Sequence, residues 1–276
     1  MTDKELAGEI CGEIWAECTR PAVRFTLEPG EPGLTDSKTA GTPYLPRGMA
    51  WPADSGGKPL EFLAQINCAQ LSGLPDFPAG GMLQFFIGWD DVYGVDFEDM
   101  TRADGFRVLY HETVDPSAPA PDCPRPPENS DFSPVARPCR ICFAPVLEMK
   151  LTEQDYRFER QFLRRWNGRR PGEPLKTLWD FLKRIPREER DEAIFNPNQG
   201  KAPWHQLGGY PFFTQEDPRP GLHEELDTLL FQLDSDMRGR EDLVLWGDCG
   251  VANFFISRED LKNRDFSRVG YSWDCC

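Results

Sequence analysis

The stretch GGMLQFFIGWDD at residues 80–91 returns in altered form as CGVANFFISRED at residues 249–260. Both run from a glycine through small or apolar residues to an amide, then Phe-Phe-Ile, then acidic residues, which reads as a buried strand leaving the core. The echo extends upstream in the same order. FLAQIN at 62–67 matches LLFQLD at 229–234, setting Gln65 opposite Gln232 and Asn67 opposite Asp234. GTPYLP at 41–46 matches GGYPFF at 208–213 as a Gly turn followed by Pro and aromatics. Pro43 to Gln65 is 22 residues and Pro211 to Gln232 is 21, while Gln65 to Phe85 is 20 and Gln232 to Phe254 is 22. Shared order and spacing predict an internal duplication in which each copy supplies a Pro-aromatic loop and two strands. Two strands are too few to stand alone, so one domain over residues 1–276 is expected, with halves at approximately 40–114 and 205–276 and an insertion at approximately 115–204.

Around the repeats, Thr2 and Glu5 form a capping box, and Leu6, Ile10, Ile14 and Cys18 share a face, predicting a helix over 3–18. Strands are expected at 22–28, 62–67, 82–87, 106–113 and 141–151. Residues 29–60 and the proline-rich 115–138 read as loop. Two helices should follow: one begins at Thr152 and runs to Trp166, and the second carries Leu175, Leu178, Leu182 and Ile185 on one face. Their many arginines interleave with Glu and Asp, as on a salt-bridged surface. His223 opens HEEL, a further expected helix start. The fold class predicted is α+β: mixed, mainly antiparallel sheets with an internal duplication, an N-terminal helix and a helical insertion between the repeats.

A net charge of −15 over 276 residues repels phosphate backbones and anionic lipid heads, which counts against nucleic-acid and membrane-surface roles and favours a basic protein partner. No stretch approaches about 18 apolar residues and the opening residues lack a secretory pattern, so a cytoplasmic protein is expected. Nine irregularly spaced cysteines are expected to be free thiols. Without a glycine-rich phosphate loop, a dinucleotide fingerprint or a regular set of metal ligands, no cofactor is expected.

Strand alternation puts Gln65 and Asn67 on one face, and Gln232 and Asp234 likewise. If the repeats face each other, these groups converge in a cleft, with Asp248 near the second copy and His205 just before its Pro-aromatic loop. Gln65, Asn67, His205, Gln232, Asp234 and Asp248 are therefore the candidate ligand-binding residues, while buried amides that satisfy backbone ends are the structural alternative. The acidic group Asp90, Asp91, Asp96 and Asp99 reads as surface loop. CRIC at 139–142 reads as a strand rather than a redox or zinc motif. Trp51, Trp89, Trp204, Trp246 and Trp273 lie in or beside the repeat blocks, as core or as the wall of a groove.

GTPYLPRGMAWP, EFLAQIN, LPDFPAGGMLQFFI, HQLGGYPFFTQEDPR, LLFQLDSD and LWGDCGVANFFISREDL together resemble the bacterial YwqG-like family, a domain family of unknown function. The resemblance runs from about residue 40 onward and implies a mixed α/β domain without an established activity. The functional expectation is a non-enzymatic protein-binding domain, in its sharper form one that antagonises a basic toxin or nuclease. The alternative is a small-ligand binder or hydrolase-type enzyme working from the cleft between the repeats.

Overall fold

The computed structural model describes residues 1–71, 73–126, 132–190, 197–198, 203–239 and 241–276. Pro127 of the proline-rich stretch and residues 191–196 and 199–202 of the expected insertion lie outside these.

The alternation of Val23, Phe25 and Leu27 with polar residues forms β1 (Thr19–Pro29), and FLAQIN with the residue before it forms β3 (Glu61–Asn67). The quoted strand is β4 (Met82–Ile87), followed by β5 (Phe106–His111), β6 (Cys139–Phe143) and β7 (Leu147–Lys150). Its echo is β12 (Val251–Ile256), which pairs with β9 (Thr228–Asp234) and β13 (Gly270–Asp274). Four shorter strands go beyond the sequence expectation: β2 (Lys38–Thr39), β8 (Gln206–Gly208) and the hairpin of β10 (Asp236–Arg238) with β11 (Glu241–Val244). Two to four residues are too few to show a period; β2 and β8 form on the edges of longer neighbours, and β10 and β11 pair with each other in a separate two-stranded sheet.

Eleven strands form one sheet in the order β13-β12-β9-β8-β1-β6-β2-β3-β4-β5, with β7 paired to β1 off that path. The order is a palindrome about the β1/β6 pair: β2, β3, β4 and β5 on one side mirror β8, β9, β12 and β13 on the other. Even the irregularities correspond. Leu63 is the extra residue where β3 slips against β4 at Phe85 and Phe86, and Leu230 is the extra residue where β9 slips against β12 at Phe254 and Phe255. The sheet coils into a nearly closed barrel, so Phe85 of β4 stacks on Phe231 of β9 at 4.4 Å and Phe106 of β5 lies 5.3 Å from Tyr271 of β13. Alternate residues Leu83, Phe85 and Ile87, with Ala252, Phe254 and Ile256, fill the interior.

The predicted α+β class is corrected accordingly: the protein is mainly β. Helices among the described residues are α1 (Asp3–Glu17), α2 (Tyr156–Arg169), α3 (Leu178–Leu182) and α4 (Arg258–Asn263). The capping box of Thr2 and Glu5 opens α1. Asp155 rather than Thr152 caps α2, and residues 223–227 form turns instead of a helix. Leu6, Ile10 and Ile14 of α1 pack with Phe158, Phe162 and Trp166 of α2 in a second core beside the barrel. The arginines of α2 reach α1, Arg165 to Glu17 and Arg169 to Glu13.

Candidate functional site

Gln65 and Gln232 face outward from β3 and β9, each beneath one of the two Pro-aromatic loops. The side-chain oxygen of Gln65 accepts the Tyr44 N–H at 2.9 Å, and that of Gln232 accepts the Phe212 N–H at 2.8 Å. Gln65 Nε2 donates to the carbonyl of Asp36, as Gln232 Nε2 does to that of Trp204. On the neighbouring strands, Gln84 donates to the Tyr44 carbonyl and Asn253 to the Phe212 carbonyl. Lys38 Nζ donates to the Thr42 carbonyl at 2.7 Å, and Gln206 Nε2 to the Tyr210 carbonyl at 2.7 Å, both four residues ahead. Each loop is launched by two successive residues in the left-handed region, Ala40–Gly41 and Gly208–Gly209. A Cβ on Gly208 would lie 2.7 Å from the Pro21 carbonyl oxygen. The barrel thus carries the same loop clamp twice, and the amides of Gln65 and Gln232 are engaged by backbone.

The remaining candidates divide in the same way. Asn67 accepts the Ala69 N–H and donates to the Thr35 carbonyl; Asp234 accepts the N–H groups of Trp204 and Ser235. The N–H of Asn67 goes to the Ser37 hydroxyl at 2.9 Å, and the N–H of Asp234 goes to His205 Nδ1 at 3.1 Å. His205 therefore takes the position of Ser37 in the second clamp. Because Nδ1 accepts, the proton sits on Nε2, which is fully buried 3.7 Å from the Asp236 carboxylate. Burial works against charge on Asp236, but the nearby His205 imidazole and the hydrogen bonds of Arg238 outweigh it and hold its pKa at about 2. His205, Gln232 and Asp234 are brought together, Gln65 and Asn67 lie in the other clamp, and Asp248 sits exposed in a turn. Between the two clamps stand the stacked rings of Phe85 and Phe231.

Gln232→Leu should cost about 1–3 kcal/mol, because the Phe212 N–H and Trp204 carbonyl lose their partners in a dry setting. Asp248→Asn should fall within about 0.5 kcal/mol of the parent. Urea unfolding of the two variants checks both; equal stabilities would contradict the clamp.

A concavity with different chemistry lies between the loop joining β4 to β5, the loop joining β8 to β9, and β13. The cavity measures about 270 Å³, and Phe97, Met100, Phe213 and Trp273 supply its apolar wall. Asp96, Glu216 and Asp274 line it as well, and no Lys or Arg does. Its shape follows from local chemistry. Asp90 Oδ1 accepts the N–H groups of Val92 and Gly94, and Asp96 Oδ1 those of Glu98 and Asp99, so the acidic residues wind the 88–105 loop into tight turns. Gly94, at φ +74°, lets two stretches of this loop touch, since a Cβ there would lie 1.9 Å from the Gly105 carbonyl oxygen. Those turns leave Phe97 70% exposed at the rim, 6.3 Å from Trp273. Trp273 is fixed from behind by Nε1 donating to the Val92 carbonyl and by the Tyr93 ring at 4.9 Å.

The carboxylates differ in character. Backbone N–H groups of Asp99 and Glu98, with Arg102, hold Asp96 below the ordinary carboxylate range. Asp274 is pushed up by burial although its Oδ2 accepts the Gln215 N–H at 2.6 Å, and its Oδ1 is buried without a hydrogen-bond partner. A cation entering the cavity would relieve that desolvated carboxylate.

The sequence had marked Asp96 and Trp273 but not Phe97, Phe213, Glu216 or Asp274. The available signal was an aromatic residue set among carboxylates, as in DFEDM at 96–100 and SWD at 272–274. Trp246 is fully buried beside Tyr93 and Trp273, while Trp51 packs edge-on against Phe86. CRIC lies in β6, where residues three apart point to opposite faces. Among the described residues, no group of three or more His, Cys, Asp or Glu is placed to hold a metal ion, and no helix is long and apolar enough to cross a membrane.

Compared with known proteins, residues 37–275 match the family described as a domain of unknown function, DUF1963. No curated protein matches the chain.

Proposed function

Since the chain belongs to the DUF1963 domain family, whose description assigns no activity, we propose from its own residues that it is a non-enzymatic, cytoplasmic binding domain for a basic protein. The narrower likeness to the YwqG-like family is part of this reading, as is its sharper form, antagonism of a basic toxin or nuclease. The observation that carries it is the cavity in which an aromatic wall meets the carboxylates of Glu216 and Asp274, beside an Asp96 already paired with Arg102, and in which no Lys or Arg is among the lining residues. A lysine or arginine side chain suits that chemistry. Its aliphatic stem packs against Phe97 and Trp273, its charge stacks on their rings, and Glu216 and Asp274 receive the head group. The net charge of −15 adds long-range steering toward a basic surface.

The test is titration of the protein with arginine- and lysine-containing peptides at low and high salt, followed by tryptophan fluorescence. Binding should weaken as salt rises, and Phe97→Ala and Asp274→Asn should each lower affinity by about tenfold. Phe97 is exposed, so its removal spares the fold. Binding that ignores both substitutions would overturn the assignment of the cavity.

A further inference from the structure

Beside the cavity, the end of β13 and the turn before β12 bring together two thiols that neither the clamps nor the cavity uses. Cys249 Sγ lies 3.3 Å from Cys276 Sγ. The strand register places them there. β12 pairs Val251 with Asp274 in antiparallel sense, and continuing the pairing by two residues sets Cys249 opposite Cys276. The turn that holds Cys249 is pressed against the same strand: a Cβ on Gly250 would lie 1.9 Å from the Asp274 carbonyl oxygen, and one on Gly247 would lie 2.8 Å from Cys275 Sγ. The two thiols are therefore set opposite one another by the strand register and by the close approach of the two backbones. Cys276 is exposed and Cys249 partly so, which leaves both open to a small reagent.

We propose that Cys249 and Cys276 form a thiol-oxidation site, converted by a hydroperoxide to a cross-strand disulfide. The Cys276 thiolate attacks a peroxide oxygen, the O–O bond breaks, and the departing hydroxide takes up a proton to leave as water, so Cys276 becomes a sulfenic acid. Cys249 sulfur then attacks the Cys276 sulfur. The S–S bond forms, the S–O bond breaks, and the hydroxyl leaves as a second water with the proton from Cys249. Two thiols lose two electrons and two protons, and one hydrogen peroxide is reduced to two waters. Cys276 reacts first because it is the more exposed of the two thiols.

The disulfide would tie residues 274–276 to the turn at 247–250, and this segment carries Asp274 and Cys275 of the cavity wall. Gln215 Nε2 also holds it, through the Cys275 carbonyl at 2.6 Å. The site is read by thiol mapping alone, so it stands or falls independently of whether a basic partner binds.

The experiment is to expose the reduced, full chain to one equivalent of hydrogen peroxide, block free thiols by alkylation, digest, and identify cross-linked peptides by mass spectrometry. The exposed Cys123, whose sulfur lies against the Pro121 carbonyl, serves as the internal reference. Cys249 should be found linked to Cys276, with both protected from alkylation at least about tenfold more than Cys123, as proximity of two reacting groups requires. Cys275→Ser should keep the cross-link and Cys276→Ser should abolish it. Alkylation of Cys249 and Cys276 equal to that of Cys123 would overturn the proposal. So would a link that survives Cys276→Ser, or one that forms equally well in urea-unfolded protein.

Discussion

Replacing Asp155 by alanine should lower the stability of the protein by about 3–5 kcal/mol, because it strips one anion from a buried, balanced group of four charges. Asp155 has no exposed side-chain surface; its Oδ2 accepts from Arg219 at 2.9 Å and its Oδ1 from the Arg157 Nε at 2.7 Å. Arg219 is itself fully buried, bridges to Asp217, donates to the Leu226 carbonyl and lies over the Phe255 ring at 4.3 Å. Two carboxylates thus balance two guanidinium groups where α2, the loop joining β8 to β9, and the outer face of β12 meet. Removing Asp155 leaves that group with one uncompensated positive charge. Asp155 also caps α2 by accepting the Arg157 N–H, so Asp155→Asn, which can keep the cap, should be less harmful by about 1 kcal/mol. Urea unfolding followed by tryptophan fluorescence reads both variants, and an alanine variant within 1 kcal/mol of the parent would refute the argument.

The same carboxylate fixes an acid limb of stability. Burial alone would raise the Asp155 pKa, yet the hydrogen bonds and charges of Arg157 and Arg219 prevail and hold it at about 2, against an ordinary 3.8. A carboxyl depressed in the folded state contributes stability that is complete above about pH 4 and is lost as pH falls through about 2. The linked amount is about 2 kcal/mol, smaller than the alanine penalty because a protonated Asp155 still fills its space and accepts hydrogen bonds.

Glu61 should produce the opposite slope at higher pH. This first residue of β3 is 5% exposed; its Oε1 accepts from the Ser133 hydroxyl and its Oε2 is buried without a hydrogen-bond partner. Burial raises its pKa from 4.5 to about 7, with the Ser133 hydrogen bond pulling the other way. The folded state therefore holds the proton more tightly than the unfolded state. Its stabilising effect is complete below about pH 4.5, declines between 4.5 and 7, and is gone above. Across that window the protein should lose about 3 kcal/mol through this one group. Glu61→Gln should match the parent at low pH and exceed it by up to about 3 kcal/mol at pH 8. The check is the difference between parent and variant at each pH, which cancels groups common to both. A difference that stays constant from pH 5 to pH 8 would show that Glu61 does not titrate in this window.

The positions of the long strands were legible in the sequence. Alternating apolar and polar residues set β1, and continuous apolar runs set β3, β4, β9 and β12, because a strand with both faces covered needs apolar residues on each. Gln65 and Gln232 stood out for the same reason, as polar interruptions in buried runs. What they do was not legible. An amide inside a strand reads equally as a ligand contact or as a backbone clamp, and only the placement of Tyr44 and Phe212 above it decides.

Other features were set by tertiary structure alone. β2 and β8 are two and three residues long, too short to carry a period, and they became strands by pairing with longer neighbours. Coiling of the sheet turned an expected α+β protein into a mainly β one, since closure depends on strand order and twist, which local propensity does not encode. It also filled the space between the repeats with Phe85 and Phe231 rather than with polar groups. The cavity draws Phe97, Phe213 and Trp273 from three distant segments, each unremarkable in its own. The sequence by itself determined which residues must be buried and where similar stretches recur; which buried groups meet, and therefore where the cavity lies, was decided by long-range packing.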